Sequence, residues 1–249
     1  MRFLFRILPV LALSVILNGQ FPVWAQVSSV ADDSVNELSG YILSKLGSDQ
    51  NLINGIQYYN RYQGIMNHPY LRGEACLTGS VVISGRRYDR VMINYDIYNQ
   101  NLILRYENKY RAINKIIIDP AHIDAFSIGN RNFRKLSFGD EEPRLYQLVN
   151  AGGITCYIHW RKRKLETMDN LQYAFYFTEP EKSYYLEIEG KAIYLRRLKD
   201  MIALFPEIPG RSIRRYVWNQ EIRFRDMTTE QLSGLLEFIA SSRLTVTGE

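Results

Sequence analysis

The sequence predicts a mainly β protein of the α+β kind. Its core is an antiparallel meander, a bent sheet or partly open barrel, with short C-terminal helices. Three observations predict this. From about Ser80 to Leu195 the apolar residues fall in short runs separated by turn residues, with no helical pattern between them. Tyrosine is frequent, 18 residues against 11 phenylalanines, and Tyr with β-branched residues suits a pleated, half-buried surface. After Leu195 the apolar spacing becomes that of helices.

The elements follow in order. Arg2 and Arg6 lead into an apolar run, Ile7 to Leu17, of roughly eleven residues, short of the ~20 that a bilayer span requires. A polar turn, Asn18-Gly19-Gln20, then precedes Val23-Trp24-Ala25, with small residues at the −3 and −1 positions. This layout predicts a secretory signal peptide over 1–25, cut between Ala25 and Gln26. Residues 26–53 read as an N-terminal arm or short helix. Asp32, Asp33 and Ser34 are cap candidates, and Val35, Leu38, Ile42 and Leu46 recur at helical spacing.

The antiparallel β region covers 54–195. Strands are expected over 80–84, 90–95, 102–106, 112–118, 123–128, 132–138, 145–149, 154–161, 173–178, 184–188 and 192–195. Gly85-Arg86, Asn99-Gln100-Asn101, Gly129-Asn130 and Ala151-Gly152-Gly153 are the turn signals, and Pro120 stops a strand because it cannot donate to a ladder. Residues 196–249 form the helical cap, packed on the same domain. Leu198, Ile202 and Phe205 share a helix face that ends at Pro206 and Pro209, and 213–218 reads as a second short helix. Thr228 and Gln231 make a capping box ahead of the stripe Leu232, Leu235, Leu236 and Ile239.

Composition excludes several functions. Removing Arg2 and Arg6, with no acidic residue in the leader, takes the formal charge from +5 to +3. A charge that small does not demand a polyanion. Nucleic acid is excluded as a partner because the chain is exported and carries no recognition motif. No second long apolar run predicts a transmembrane span. No nucleophile elbow, His-Glu-x-x-His, phosphate loop or EF-hand occurs, so no cofactor, metal site or catalytic residue is assigned. His68, His122 and His159 lack ligand spacing, and Asp89, Asp96, Asp119 and Asp124 read as turn and strand-end residues. Cys76 and Cys156 are an even pair in an oxidising compartment, which allows one disulfide or two separate thiols.

Two groups remain as binding candidates. Tyr58, Tyr59, Tyr62 and Tyr70 either line a ligand groove or cover the sheet edge. Arg161, Lys162, Arg163 and Lys164 either meet lipid phosphates, anionic glycans or an acidic partner, or form a solvated hairpin tip. Arginines at 196, 197, 211, 214, 215, 223 and 225 extend this basic character.

Asn54-Gly55, Tyr58-Tyr59, His68-Pro69-Tyr70, Thr78-Gly79-Ser80, Tyr88 and Tyr95-Asp96-Ile97 resemble a signature of exported Bacteroidota proteins to which no function is assigned. Tyr184-Tyr185-Leu186 and the 199–206 helix are similar to the same group, so the resemblance spans about 54–240. Where the group carries Gly-x-Tyr, this chain has Gly85-Arg86-Arg87-Tyr88. The resemblance implies the periplasm or cell envelope of a Gram-negative bacterium and transfers no catalytic residue. The expected function is a non-enzymatic interaction or scaffold role in the envelope, with an unknown partner. The alternatives are a carrier of a lipid or other apolar ligand in a β concavity, and a hydrolase of unrecognised type.

Overall fold

The computed structural model describes residues 49–139, 141–167 and 172–247. The signal peptide, its cut between Ala25 and Gln26, and the helix expected around 35–46 lie outside the described residues. Leu46–Glu249 forms one compact unit, so the β region and the C-terminal helices share a domain.

The strands are β1 (Gly55–Gln57), β2 (Leu77–Ile83), β3 (Arg86–Asp96), β4 (Asn101–Glu107), β5 (Ile113–Ile118), β6 (Ile123–Ile128) and β7 (Arg131–Leu136). They continue as β8 (Arg144–Ala151), β9 (Ile154–Arg161), β10 (Lys164–Glu166), β11 (Phe175–Phe177), β12 (Glu181–Ile188) and β13 (Lys191–Leu195). Eleven of them make one antiparallel sheet in the order β1-β5-β4-β3-β2-β6-β7-β8-β9-β12-β13, and β10 pairs with β11 separately. The hairpin turns use residues that tolerate positive φ. Gly152 and Gly153 stand at 58° and 75° in the β8–β9 turn, the combination that a tight two-residue hairpin needs.

The order is two meanders joined at β2–β6, and the junction forces curvature. In a flat sheet β5 and β6 would lie four strand spacings apart, about 19 Å. The connector from Ile118 to Ile123 reaches only about 17 Å when fully extended, and Pro120–His122 shortens it further with a 3₁₀ turn. The five strands must therefore curl. Register shifts between Gly79 and Val81 and between Val82 and Ile83 supply the bend. Gly79 permits it, because a Cβ there would sit 2.0 Å from the Ser127 carbonyl oxygen on β6.

The sheet is bent and does not close. Its concave face is filled by side chains. Phe126 stacks on Phe133 at 4.4 Å, and both meet Tyr95 edge-on at 5.1 and 5.4 Å. The helices α1 (Leu198–Ala203), α2 (Gly210–Asn219) and α3 (Thr229–Thr247) follow. α3 lies on β8 and β9 and buries Leu232, Leu235, Leu236 and Ile239. Its capping box forms as the sequence predicts. Thr228 N donates to Gln231 Oε1 at 3.0 Å, and Gln231 N donates to Thr228 Oγ1 at 3.1 Å. No helix among the described residues is long and apolar enough to cross a membrane.

Candidate functional site

The arm ahead of β2 crosses the β3–β4 turn and is held to it by backbone pairing. Leu71 N donates to Tyr95 O at 2.9 Å, and Ile97 N to Pro69 O at 3.0 Å. This brings four of the predicted site residues, Tyr58, Tyr62, Tyr70 and Lys162, into one cluster around Asp96. The Tyr58 and Tyr70 hydroxyls share a hydrogen bond, and Asn99 Nδ2 donates to the Tyr62 hydroxyl. Tyr62 also packs edge-on to Phe177 at 5.1 Å. Asp96, only 2% exposed, accepts from Tyr98 N and Asn99 N at 2.9 Å each and from Asn99 Nδ2 at 2.7 Å. Lys162 Nζ donates to His68 O at 2.7 Å, and the His68 ring stacks on Tyr70 at 5.8 Å.

Burial sets the protonation of this cluster. It raises the Asp96 carboxyl and the Tyr58, Tyr62 and Tyr70 hydroxyls above their ordinary values. It also lowers Lys162 and, with the Lys162 charge beside it, His68. The resulting network is satisfied and inward-facing. It covers the sheet end and locks the arm down. Tyr59 takes no part in it and is 69% exposed.

A pH dependence follows. His68 and His159 are both held below the ordinary imidazole range, first by burial, so the folded state prefers them neutral. The unfolded chain binds the extra protons as pH falls through about 6.5, and stability falls with it. Asp96 has the opposite sign: its raised carboxyl takes up a proton first in the folded state, offsetting part of the loss in the carboxylate range. Urea unfolding should therefore show a falling midpoint below about pH 6.5. A His68→Gln/His159→Gln variant should flatten that fall, and an unchanged slope would refute the assignment.

The basic tetrad is not a solvated hairpin tip. Arg161 ends β9, Lys162 is 7% exposed, and Lys164 opens β10 with its Nζ 4.5 Å from the Phe175 ring centroid. Glu181 takes both neighbours, at 3.0 Å from Arg161 and 2.7 Å from Arg163. These two arginines line a depression of about 640 Å³ with Arg196, Arg225 and the rings of Tyr184, Tyr194 and Phe224. A second depression shares Arg196, Phe224 and Arg225 and adds Arg197 and Arg223. A third shares Arg223 and adds Arg214 and Trp218. The result is a belt of arginines with aromatic floors, in which Glu179, Glu181, Glu221 and Asp226 are the acidic side chains. Asp200 Oδ2 accepts from Arg196 N at 2.9 Å and Arg197 N at 3.0 Å, which fixes the backbone from which both side chains project. Arg196, Arg223 and Arg225 have no ion pair among the described residues. The basic residues beyond Leu195 were visible in the sequence. Their continuity with Arg161 and Arg163 was not, because β12 and β13 separate them in the chain.

Sequence reasoning missed two further groupings. On the outer face of β8, β9, β12 and β13, Tyr146, Tyr157, Tyr185 and Tyr194 form one patch with Phe138 over it. The period of two along β8 and β9 was a signal for it. Burial pushes Tyr146 and Tyr157 up to about 12. At the mouth of the curl, Ser84 Oγ lies 3.3 Å from His122 Nδ1, and His122 Nε2 lies 3.7 Å from Asp119 Oδ2, along a cavity of about 320 Å³. A serine nucleophile also needs free N–H groups for an oxyanion. Ser84 N donates instead to His122 O at 2.9 Å, and Gly85 N to Asp124 Oδ2 at 2.7 Å. These polar groups pin the β2–β3 turn to the β5–β6 connector.

The Cys76–Cys156 disulfide does not form. Both thiols are free, and Cys76 precedes β2 while Cys156 lies on β9, four strands further across the sheet. Burial pushes the Cys156 thiol up to about 12, so it packs as a small apolar residue. Among the described residues, no group of three His, Cys, Asp or Glu is placed to hold a metal ion. Comparison with protein-family models, curated proteins and solved structures gave no match.

Proposed function

We propose that this chain is an exported cell-envelope interaction protein that engages an acidic partner through its arginine belt. The observation that carries the proposal is the run of guanidinium groups at Arg196, Arg223 and Arg225, which form no ion pair among the described residues and are set between aromatic rings, with Asp226 as the acidic side chain beside all three. Arginine suits this task because its planar fork meets carboxylates and phosphates with two hydrogen bonds and its face packs on aromatic rings. The packed concave face supports a docking role over the carriage of an apolar ligand. Export and an envelope location rest on the basic-apolar leader and on the resemblance to exported Bacteroidota proteins.

Poly-glutamate is a defined probe of this reading. Binding measured by fluorescence anisotropy should weaken as salt rises, because exposed charges are screened. An Arg196→Glu/Arg225→Glu variant should bind at least about tenfold more weakly. Its unfolding midpoint should stay near that of the parent, since both side chains are exposed. Equal affinity in parent and variant, or binding indifferent to salt, would refute the proposal.

A further inference from the structure

The belt ends on α2, and that helix presents a face with a more specific chemistry. Arg211, Arg214, Arg215 and Trp218 stand at i, i+3, i+4 and i+7, which places them on one side of the helix. The other side belongs to the core: Ile213 is fully buried, and Tyr216 stacks on Phe238 at 4.5 Å. Trp218 is 82% exposed. The leader holds Trp24 and the core holds Trp160, so Trp218 is the mature chain's exposed tryptophan. Arg211, Arg214 and Arg215 have no ion pair among the described residues, and Glu221 is the acidic side chain beside Trp218 in its depression.

We infer that this face docks the protein on an anionic lipid bilayer, an inference that rests on the belt's role in meeting acidic groups. Charge complementarity alone would suit any polyanion. The tryptophan selects among them, because an indole held out in water gains from a site that is apolar on one side and wet on the other. The boundary between headgroups and acyl chains is such a site, and it lies beside the phosphates that guanidinium groups fork onto. Because its inner face is committed to the core, α2 cannot sink as a free amphipathic helix. It rests on the surface, with Trp218 as the inserted ring and the arginines spread over lipid phosphates. Arg223 and Arg225 extend the same contact toward the belt.

The test uses the mature chain, residues 26–249, with vesicles of phosphatidylcholine alone or mixed with phosphatidylglycerol. The chain should co-sediment with the mixed vesicles and stay in solution with the neutral ones. Its tryptophan emission should shift to the blue on binding, and Trp218→Phe should abolish that shift because Trp160 is buried beforehand. Arg211→Glu/Arg214→Glu/Arg215→Glu should weaken vesicle binding at least about tenfold. Both variants alter exposed side chains, and unchanged thermal unfolding would show that they are folded. Equal binding to neutral vesicles, or an undiminished triple variant, would overturn the inference. Poly-glutamate binding without vesicle binding would overturn the bilayer as occupant and leave the belt's role standing. Failure of both probes would overturn both.

Discussion

Trp160→Ala is expected to lower the unfolding free energy by about 3–5 kcal/mol. Trp160 is 5% exposed on β9, and its removal opens a cavity where sheet and helix meet. Its Nε1 donates to Gln147 Oε1 at 2.9 Å, and Gln147 Nε2 donates in turn to Thr229 Oγ1 at 3.1 Å at the start of α3. The ring also carries two cations, Arg131 and Lys182, each 4.9 Å from it. Burial lowers the pKa of both, so losing the ring leaves two poorly solvated charges without their π face. Trp160→Phe separates these contributions. It retains most of the packing and a π face but strands the Gln147 acceptor, for an expected cost of about 1–3 kcal/mol. Urea denaturation of the two variants measures the difference, and a Trp160→Phe variant as stable as the parent would show that the Gln147 bond contributes nothing.

Asp96→Ala is the second large effect, with an expected loss of about 2–4 kcal/mol. Two backbone N–H groups and the Asn99 amide lose their acceptor in a buried turn. The turn also organises what surrounds it. Gln100 Nε2 donates to Trp160 O at 2.9 Å and to Ile97 O at 2.7 Å, and Lys162 N donates to Ile97 O at 3.3 Å. Asp96→Asn should cost about 1 kcal/mol, because an amide oxygen still accepts from both backbone groups that share Oδ1. Limited proteolysis gives a second readout. The arm around Tyr58 and Tyr62 should become sensitive in the alanine variant and stay protected in the asparagine variant. An arm protected in both would mean that Asp96 does not hold it.

Much of the architecture was legible in local sequence. β9 falls at 154–161, as the alternating apolar residues predicted, and β6 at 123–128. The α3 capping box and its Leu232, Leu235, Leu236 and Ile239 stripe were read directly from spacing. Two short strands, β1 and β10, were missed. Each has three residues and no periodicity of its own, and each exists because a partner strand offers an edge. Within the basic tetrad Arg161, Arg163 and Lys164 are exposed and Lys162 is not, which charge could not show, because a lysine stem can be buried while its ammonium donates to a backbone carbonyl. The tyrosine cluster was found but its partners were not. Asp96 lies 38 residues from Tyr58, and only the β3–β4 turn brings them together.

The sequence by itself determined the class of this protein: short alternating strands, Gly-rich turns and a capped terminal helix. Each depends on contacts within a few residues, which composition and spacing encode. The tertiary structure decided the rest. It set the β2–β6 junction that bends the sheet, brought Tyr58, Tyr70 and Lys162 together over Asp96, and separated the two cysteines. It also joined arginines from β9, the end of β13, the loop before α3 and α2 into one surface. Those arrangements depend on strand order and on which faces meet, and neither is a property of any local stretch of chain.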